Sequence, residues 1–172
     1  RYLARNPNLP PVNPLNDVAE SGDQLPVYRI SPPEQWREFR AKRWTGDSTV
    51  ASHMPKSELV GSGVVTSSSG CTIYRGDAYP PEFRGQAFVA DVAGNLFYRL
   101  NLTPDGVTFK GTRIDGKKEM VASRDIWFRP VNFANAPDGT LTVCDMYREV
   151  IEHPWSLPDD IHAALDLERG RD

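Results

Sequence analysis

The chain has 172 residues, of which 39% are hydrophobic and 25% are charged, and this length allows one ordinary domain with its own core. The formal net charge of −3 at pH 7 argues against nucleic acid as a partner, because a protein that binds a phosphate backbone needs surplus basic groups to displace counterions. No window is apolar over the length of a bilayer-spanning helix, so we expect no membrane insertion in this chain.

Residues 1–70 are predicted to form an extended segment, rich in Pro, Ser and Gly, that packs on the rest of the domain. Proline fixes its own φ and restricts the residue before it, so the first 35 residues favour irregular structure. The stretch PPEQWREFRAKRW, residues 32–44, predicts one short helical turn, with edge strands as the alternative. Residues 45–70 are dominated by Ser, Gly and Thr and predict a long loop.

Residues 71–172 are predicted to form β-strands. The runs CTIYRG, QAFVADV, NLFYRLNL and VTFKGTRI are rich in aromatic and β-branched residues, and together they predict a four-stranded antiparallel meander. DVAGNL and TPDGV place a glycine, which accepts positive φ, at two of its hairpin turns. Two further strands surround the turn at Asp138 and Gly139.

The two sets of strands are related by an internal repeat. GQAFVADVAGNLF, residues 85–97, aligns with GTLTVCDMYREVI, residues 139–151, and places Asp91 over Asp145. Repetition of a four-stranded unit is typical of a β-propeller. The second unit lacks its third and fourth strands, and a capped helical stretch runs from Asp159 to Gly170. We therefore predict an all-β fold, a partial propeller with one complete and one incomplete blade, and a short C-terminal helix.

Asp91 and Asp145 end equivalent strands, so they are expected at the same mouth of a propeller. Two neighbouring carboxylates can share a cation, which makes both residues candidate metal ligands. The alternative is structural, because an aspartate after such a strand often caps a turn by accepting hydrogen bonds from nearby backbone amides.

Arginine and aromatic side chains adjoin the same predicted strands. Arg75, Arg129 and Arg148 are candidates for holding a carboxylated cofactor or a polyol, because guanidinium offers a planar bidentate fork. The alternative for Arg75 is a salt bridge with Asp77. Candidate sugar-binding rings are Trp127 and Tyr147, because sugars have one apolar face; this hypothesis requires one of the two rings to be exposed.

His153 and Asp145 are the candidate catalytic residues. A neutral imidazole at His153 can accept a proton from a substrate hydroxyl, with Asp145 or Glu152 orienting the ring. The alternative is a rigid turn at Pro154 in which Trp155 packs over the histidine.

The two cysteines, Cys71 and Cys144, form no CxxC or zinc-ligand pattern. They lie in apolar, strand-like contexts, so a buried free thiol is expected at least as much as a disulfide formed in an oxidising compartment.

Several motifs together resemble a known family. TIYRGDAYPPEFRGQAFVADVAGNLFYR, TPDGVTFKG, WFRPVNFANAPDGTLTVCDMYREVIEHPWSLP and LDLERGRD are similar to the propeller region of planctomycete-type membrane-bound dehydrogenases, haem-binding CxxCH proteins. They also resemble glucose/sorbosone dehydrogenase-like β-propellers. The resemblance covers roughly residues 1–172 and is strongest from residue 71 onward.

The resemblance implies that the chain is part of a larger, six-bladed propeller in a periplasmic or other extracytoplasmic protein. It implies oxidation of a sugar or related alcohol, with pyrroloquinoline quinone and calcium on the central face. Haem c would be bound only by a separate cytochrome c domain of the parent, since this chain has no CxxCH. The implied partners are that domain, the remaining blades and a carbohydrate or alcohol substrate. The alternative is a non-catalytic scaffold that binds polysaccharide or a protein, in which the candidate residues stay in separate salt bridges and turn caps.

Overall fold

A computed structural model of the chain describes residues 25–53, 59, 62–151 and 159. This part of the chain is mainly antiparallel β-structure, with two sheets and few helices. The elements are α1 (Gln35–Thr45), α2 (Ser48–Ala51), β1 (Ser68–Ile73), a 3-10 turn (Pro81–Phe83), β2 (Ala87–Asp91), β3 (Leu96–Asp105), β4 (Thr108–Arg113), β5 (Val121–Ala122), β6 (Pro130–Asn135) and β7 (Leu141–Asp145).

The first sheet has the strand order β1-β2-β3-β4, and the short strand β5 pairs with the beginning of β3. The predicted four-stranded meander is therefore present. Gly106 adopts a φ of 59° in the turn before β4, as expected. In the turn before β3, however, Asn95 and not Gly94 takes the positive φ, of 55°. Gly94 is needed for space, because a Cβ there would lie 2.9 Å from Leu96 Cδ2.

The second sheet is the predicted hairpin of β6 and β7, which turns at Gly139 with a φ of 82°. The first strands of the two sheets, β1 and β6, lie side by side. Ser69 Oγ donates to the Pro130 carbonyl at 2.8 Å, and at the other end Asn135 Nδ2 donates to the Ile73 carbonyl at 3.0 Å. These bonds join the two sheets with β1 and β6 running in the same direction.

The two hairpins β1–β2 and β6–β7 have equivalent registers, as the internal repeat predicts. Each pairs the last residue of its first strand with the first residue of its second, and each has a register shift near the opposite end. There Ser68 pairs with Asp91 and Pro130 pairs with Asp145. The described residues contain two hairpins of equivalent register and form no closed ring.

Alternate residues of a strand point to opposite faces of its sheet. Both faces of the first sheet carry buried residues. Phe88 and Phe97 contribute to a cluster with Phe133 of the second sheet, and the Phe97 and Phe133 rings meet at 5.2 Å in an edge-to-face arrangement. On the other face, Tyr98 packs with Val27 of the N-terminal segment. These contacts fix the first sheet between the second sheet and the N-terminal segment.

Residues 25–53 contain more regular secondary structure than the sequence indicates. Helix α1 has 11 residues, so the predicted single turn is too short and the edge-strand alternative is wrong. The helix is stabilised by tertiary contacts that composition does not reveal, since Trp36, Arg37 and Ala41 are buried. The expected loop at 45–70 includes α2 and the start of β1, and Pro26 forms an antiparallel bridge with Val64.

Three other features complete the fold. Cys71 and Cys144 are free and exposed, so the expected burial of these thiols is wrong. In the described part of the chain, no helix is both long enough and apolar enough to cross a membrane. The predicted C-terminal helix lies outside the described residues, except for Asp159.

Candidate functional site

Asp91 and Asp145 occupy the same position in their hairpins and make the same bond. Asp145 Oδ1 accepts from the backbone N–H of Arg129 at 2.7 Å, and Asp91 Oδ1 accepts from that of Ser67 at 3.3 Å. In both hairpins the donor is the residue that precedes the first strand. Each aspartate therefore closes one end of its hairpin, which is the turn-capping role named above as the structural alternative.

The two carboxylates differ in environment. Asp145 is exposed, whereas Asp91 is fully buried, and burial raises the pKa of the Asp91 carboxyl. Asp91 Oδ2 has no hydrogen-bond partner among the described residues. A calcium ion requires six to eight oxygen ligands, and the described residues gather no group of three His, Cys, Asp or Glu side chains that could begin such a shell. Calcium binding stays a prediction from the resemblance.

Arg129 is fully buried and binds groups from three parts of the fold. Its Nη1 donates to the Val92 carbonyl at 3.1 Å, and Nη2 binds Glu34 Oε1 at 2.5 Å. The carbonyls of Arg148 and Glu149 accept from Nε and Nη2. The guanidinium therefore joins the N-terminal segment to the chain after β2 and the chain after β7.

The three candidate arginines do not converge. Arg75 follows the end of β1, whereas Arg129 precedes the start of β6. Because these two strands run side by side in the same direction, Arg75 and Arg129 lie at opposite ends of them, and the Arg75 side chain is exposed. Arg75 forms no ion pair with Asp77 within the described residues. Arg148 lies near Arg129, and its Nε is buried without a hydrogen-bond partner in the described part of the chain. This arrangement does not fit a carboxylated quinone held by all three guanidinium groups.

Trp127 and Tyr147, the two candidate sugar-binding rings, are brought together. Their ring centroids are 5.6 Å apart with an interplanar angle of 49°, and Tyr147 is 58% exposed. Tyr147 Oη donates to Asp125 Oδ2 at 3.2 Å, and this hydrogen bond raises the pKa of the phenol. We call Asp125, Trp127 and Tyr147 the aromatic corner.

The backbone holds Tyr147 in an unfavourable conformation. Its φ of 46° lies in the left-handed region, which costs a residue with a side chain about 1–2 kcal/mol. Asp145 Oδ1 accepts from the Tyr147 backbone N–H at 2.9 Å and stabilises this turn. Strain of this kind persists where the surrounding structure enforces it, and it is frequent at binding sites.

Asp125 was not recognised as a site residue from the sequence, although a signal was present. Asp125 Oδ1 accepts from the Trp127 backbone N–H at 2.9 Å, the same turn that Asp145 forms with Tyr147. The pattern Asp-x-aromatic thus occurs twice, and each aspartate fixes the backbone of the ring two residues later. The described residues do not include His153, Glu152 or Trp155. Both hypotheses for the histidine therefore stay predictions.

Comparison with known proteins gives one match. A family described as "Domain of unknown function (DUF7133)" matches residues 1–172. The chain belongs to this family. No curated protein and no solved structure matches the chain. The description of the DUF7133 family names no activity.

Proposed function

We propose that this DUF7133 chain is part of an extracytoplasmic dehydrogenase-like β-propeller that binds a sugar or related alcohol at the aromatic corner. The observation that carries the proposal is the exposed Tyr147 ring beside Trp127, with the Asp125 carboxylate at the edge of the pair. The sequence hypothesis required one of the two rings to be exposed, and Tyr147 meets that condition.

The chemistry of the corner suits a polyhydroxylated ligand. A sugar ring has an apolar face of C–H groups, which packs on an aromatic ring, and a polar edge of hydroxyls, which donate to carboxylates. Asp125 is exposed, and its carboxylate is already oriented by the Trp127 amide and the Tyr147 hydroxyl. The hydrogen bonds of Tyr147 to Asp125 and to Asp145 hold the phenol in place before a ligand arrives, which lowers the entropy cost of binding.

Oxidation of the bound sugar or alcohol is proposed because of the resemblance to dehydrogenase-like propellers. Oxidation of an alcohol to a carbonyl releases two protons and two electrons. His153 would take the hydroxyl proton, and the hydrogen on the carbinol carbon would leave with its electron pair to a two-electron acceptor such as a quinone. A c-type haem domain elsewhere in the parent protein would then reoxidise that acceptor one electron at a time. Calcium and pyrroloquinoline quinone belong to the proposal only through the resemblance, and no described residue is assigned to either.

A second candidate, the non-catalytic scaffold, is favoured by a separate observation. Asp145 accepts backbone amides and Arg129 is buried among carbonyls and Glu34, so both residues tie the fold together. A scaffold that binds polysaccharide would use the same aromatic corner without turnover.

Binding is tested by titrating the full-length parent protein with glucose and with sorbitol in a calorimeter. Tyr147→Ala is expected to weaken binding at least tenfold, which is about 1.4 kcal/mol, because it removes the exposed ring. Phe109→Ala is the matched control, since Phe109 is an exposed ring on β4, away from the corner. Equal affinity in the two variants would contradict the sugar site.

Turnover is tested by dye-linked oxidation of aldoses and sugar alcohols with the folded, haem-loaded parent, with and without added quinone and calcium. The enzyme hypothesis expects dye reduction that His153→Ala abolishes without unfolding the protein. Activity that survives this substitution contradicts the base assignment. Sugar binding without turnover across the panel would establish the scaffold.

A further inference from the structure

A cleft of about 650 Å³ lies between the N-terminal segment and the loop that leads to β5. Its walls come from residues 27–30, 62–63, 117–119 and 122, so it is distinct from the aromatic corner. The volume falls within the range of about 300–1,000 Å³ that small-molecule sites occupy.

Hydrogen bonds fix the two walls of the cleft relative to each other. The Tyr28 backbone N–H donates to Glu119 Oε1 at 2.7 Å, and the Val27 N–H donates to the Gly63 carbonyl at 3.0 Å. Arg113 pairs with Glu119 and donates to the Pro26 carbonyl at 3.2 Å. The cleft therefore exists without a ligand and does not depend on a side chain that must first move.

The charges that line the cleft are unbalanced. Three cations, Arg29, Lys117 and Lys118, face a single acid, Glu119. The Glu119 charge is already neutralised by Arg113, and the Glu119 side chain has no exposure to solvent. The Lys117 and Lys118 side chains are exposed and form no hydrogen bond or ion pair within the described residues. A chain with a net charge of −3 thus lines this cleft with more cations than acids.

Arg29 is the anchored cation of the three. Its Nε and Nη2 donate to Ser31 Oγ, and Nη2 also donates to the Pro32 carbonyl at 2.7 Å. Nη1 has no acceptor among the described residues. A guanidinium that is held on one side and has donors left on the other is suited to a carboxylate or phosphate group.

We propose that this cleft binds a small organic anion whose carboxylate or phosphate head lies between Arg29 and the two lysines. Val27, Ile30 and Ala122 supply an apolar wall for the body of the ligand. The proposal is independent of the sugar site, because none of its lining residues belongs to the aromatic corner.

The test is calorimetric titration of the full-length parent at low ionic strength with inorganic phosphate, with glucuronate and with neutral glucose. The double variant K117A/K118A is expected to weaken phosphate and glucuronate binding at least tenfold and to leave glucose binding unchanged. Lys110→Ala, an exposed lysine on β4, is the matched control and should bind all three as the natural protein does. Binding at the cleft should also weaken with added salt, because exposed charges are screened.

Binding of only phosphate or only glucuronate would support the proposal and identify the head group. The proposal is overturned if neither anion binds saturably, or if K117A/K118A binds both as tightly as K110A. It is also overturned if Tyr147→Ala abolishes glucuronate binding, since the sugar ring would then be held at the aromatic corner. A failure of the sugar site alone would leave phosphate binding unaffected.

Discussion

The hairpins β1–β2 and β6–β7 have the same register and the same closing aspartate, but their corners differ in cover. After Asp91 the chain continues with Ala93 and Asn95, which are buried. After Asp145 it continues with Met146 and Tyr147, which are exposed. The first corner lies beneath the N-terminal segment, and the second presents an aromatic ring to solvent. Two hairpins of the same register thus differ in exposure at their equivalent corners, in the residues that follow each aspartate.

The residue before each hairpin differs in the same way. Ser67 precedes β1 and Arg129 precedes β6, and each donates its backbone N–H to its aspartate. Only Arg129 extends a buried side chain, which reaches the Val92 carbonyl beside the first corner and Glu34 beyond it. The second hairpin therefore depends on the N-terminal segment through one guanidinium.

The largest expected effect on stability comes from removing the Arg129 guanidinium. Arg129→Ala should lower the free energy of unfolding by about 3–5 kcal/mol, because it removes one partner of a buried ion pair and leaves buried carbonyls without donors. Ser67→Ala at the equivalent position should change it by less than about 0.5 kcal/mol, since its backbone bond to Asp91 is kept. Urea unfolding of both variants checks the difference; similar losses would mean that the two hairpins are tied alike.

A smaller effect is expected where the two hairpins touch. A Cβ at Gly70 of β1 would lie 2.4 Å from the Asn132 Cα of β6. Gly70→Ala should cost about 1–3 kcal/mol or more, because backbone has to shift to relieve the overlap. Gly46→Ala, whose added Cβ meets its nearest neighbours at 3.4 Å, should be close to neutral. Equal thermal stabilities of the two variants would contradict the close packing of β1 on β6.

The smallest effect is a pH dependence at the first corner. Burial raises the pKa of Asp91 above its usual value, so the folded state holds this proton more tightly than the unfolded state. Stability from this group is greatest at low pH and falls as pH rises from the unfolded value toward the raised folded one. Asp91→Asn should therefore gain stability relative to the natural protein as pH increases through that window.

The comparison is made by urea unfolding between pH 3.5 and 7. Asp145→Asn, the same change at the exposed corner, controls for the altered net charge. A constant difference between Asp91→Asn and the natural protein across this range would contradict the role of burial at Asp91.

The strands and the repeat were predictable because they rest on local signals. Runs of aromatic and β-branched residues bounded by turn residues mark β1 to β4, and residue spacing alone is enough to align Asp91 with Asp145. Trp127 and Tyr147 were named from the sequence as candidate rings, but their contact with each other was not predicted. The extent of α1 and the partners of Arg129 were not predictable, because both depend on contacts between distant parts of the chain.

The sequence by itself determined the β-rich fold, the antiparallel meander and the second hairpin, because strand propensity and turn chemistry act over a few residues. Tertiary structure decided which charges are buried and which are available. Arg129 reads as a ligand-binding arginine in the sequence and is an internal tie in the fold, whereas Arg29 and Lys117, unremarkable in the sequence, line a cleft. The physical reason is that the cost of burying a charge depends on partners far along the chain, which no local pattern contains.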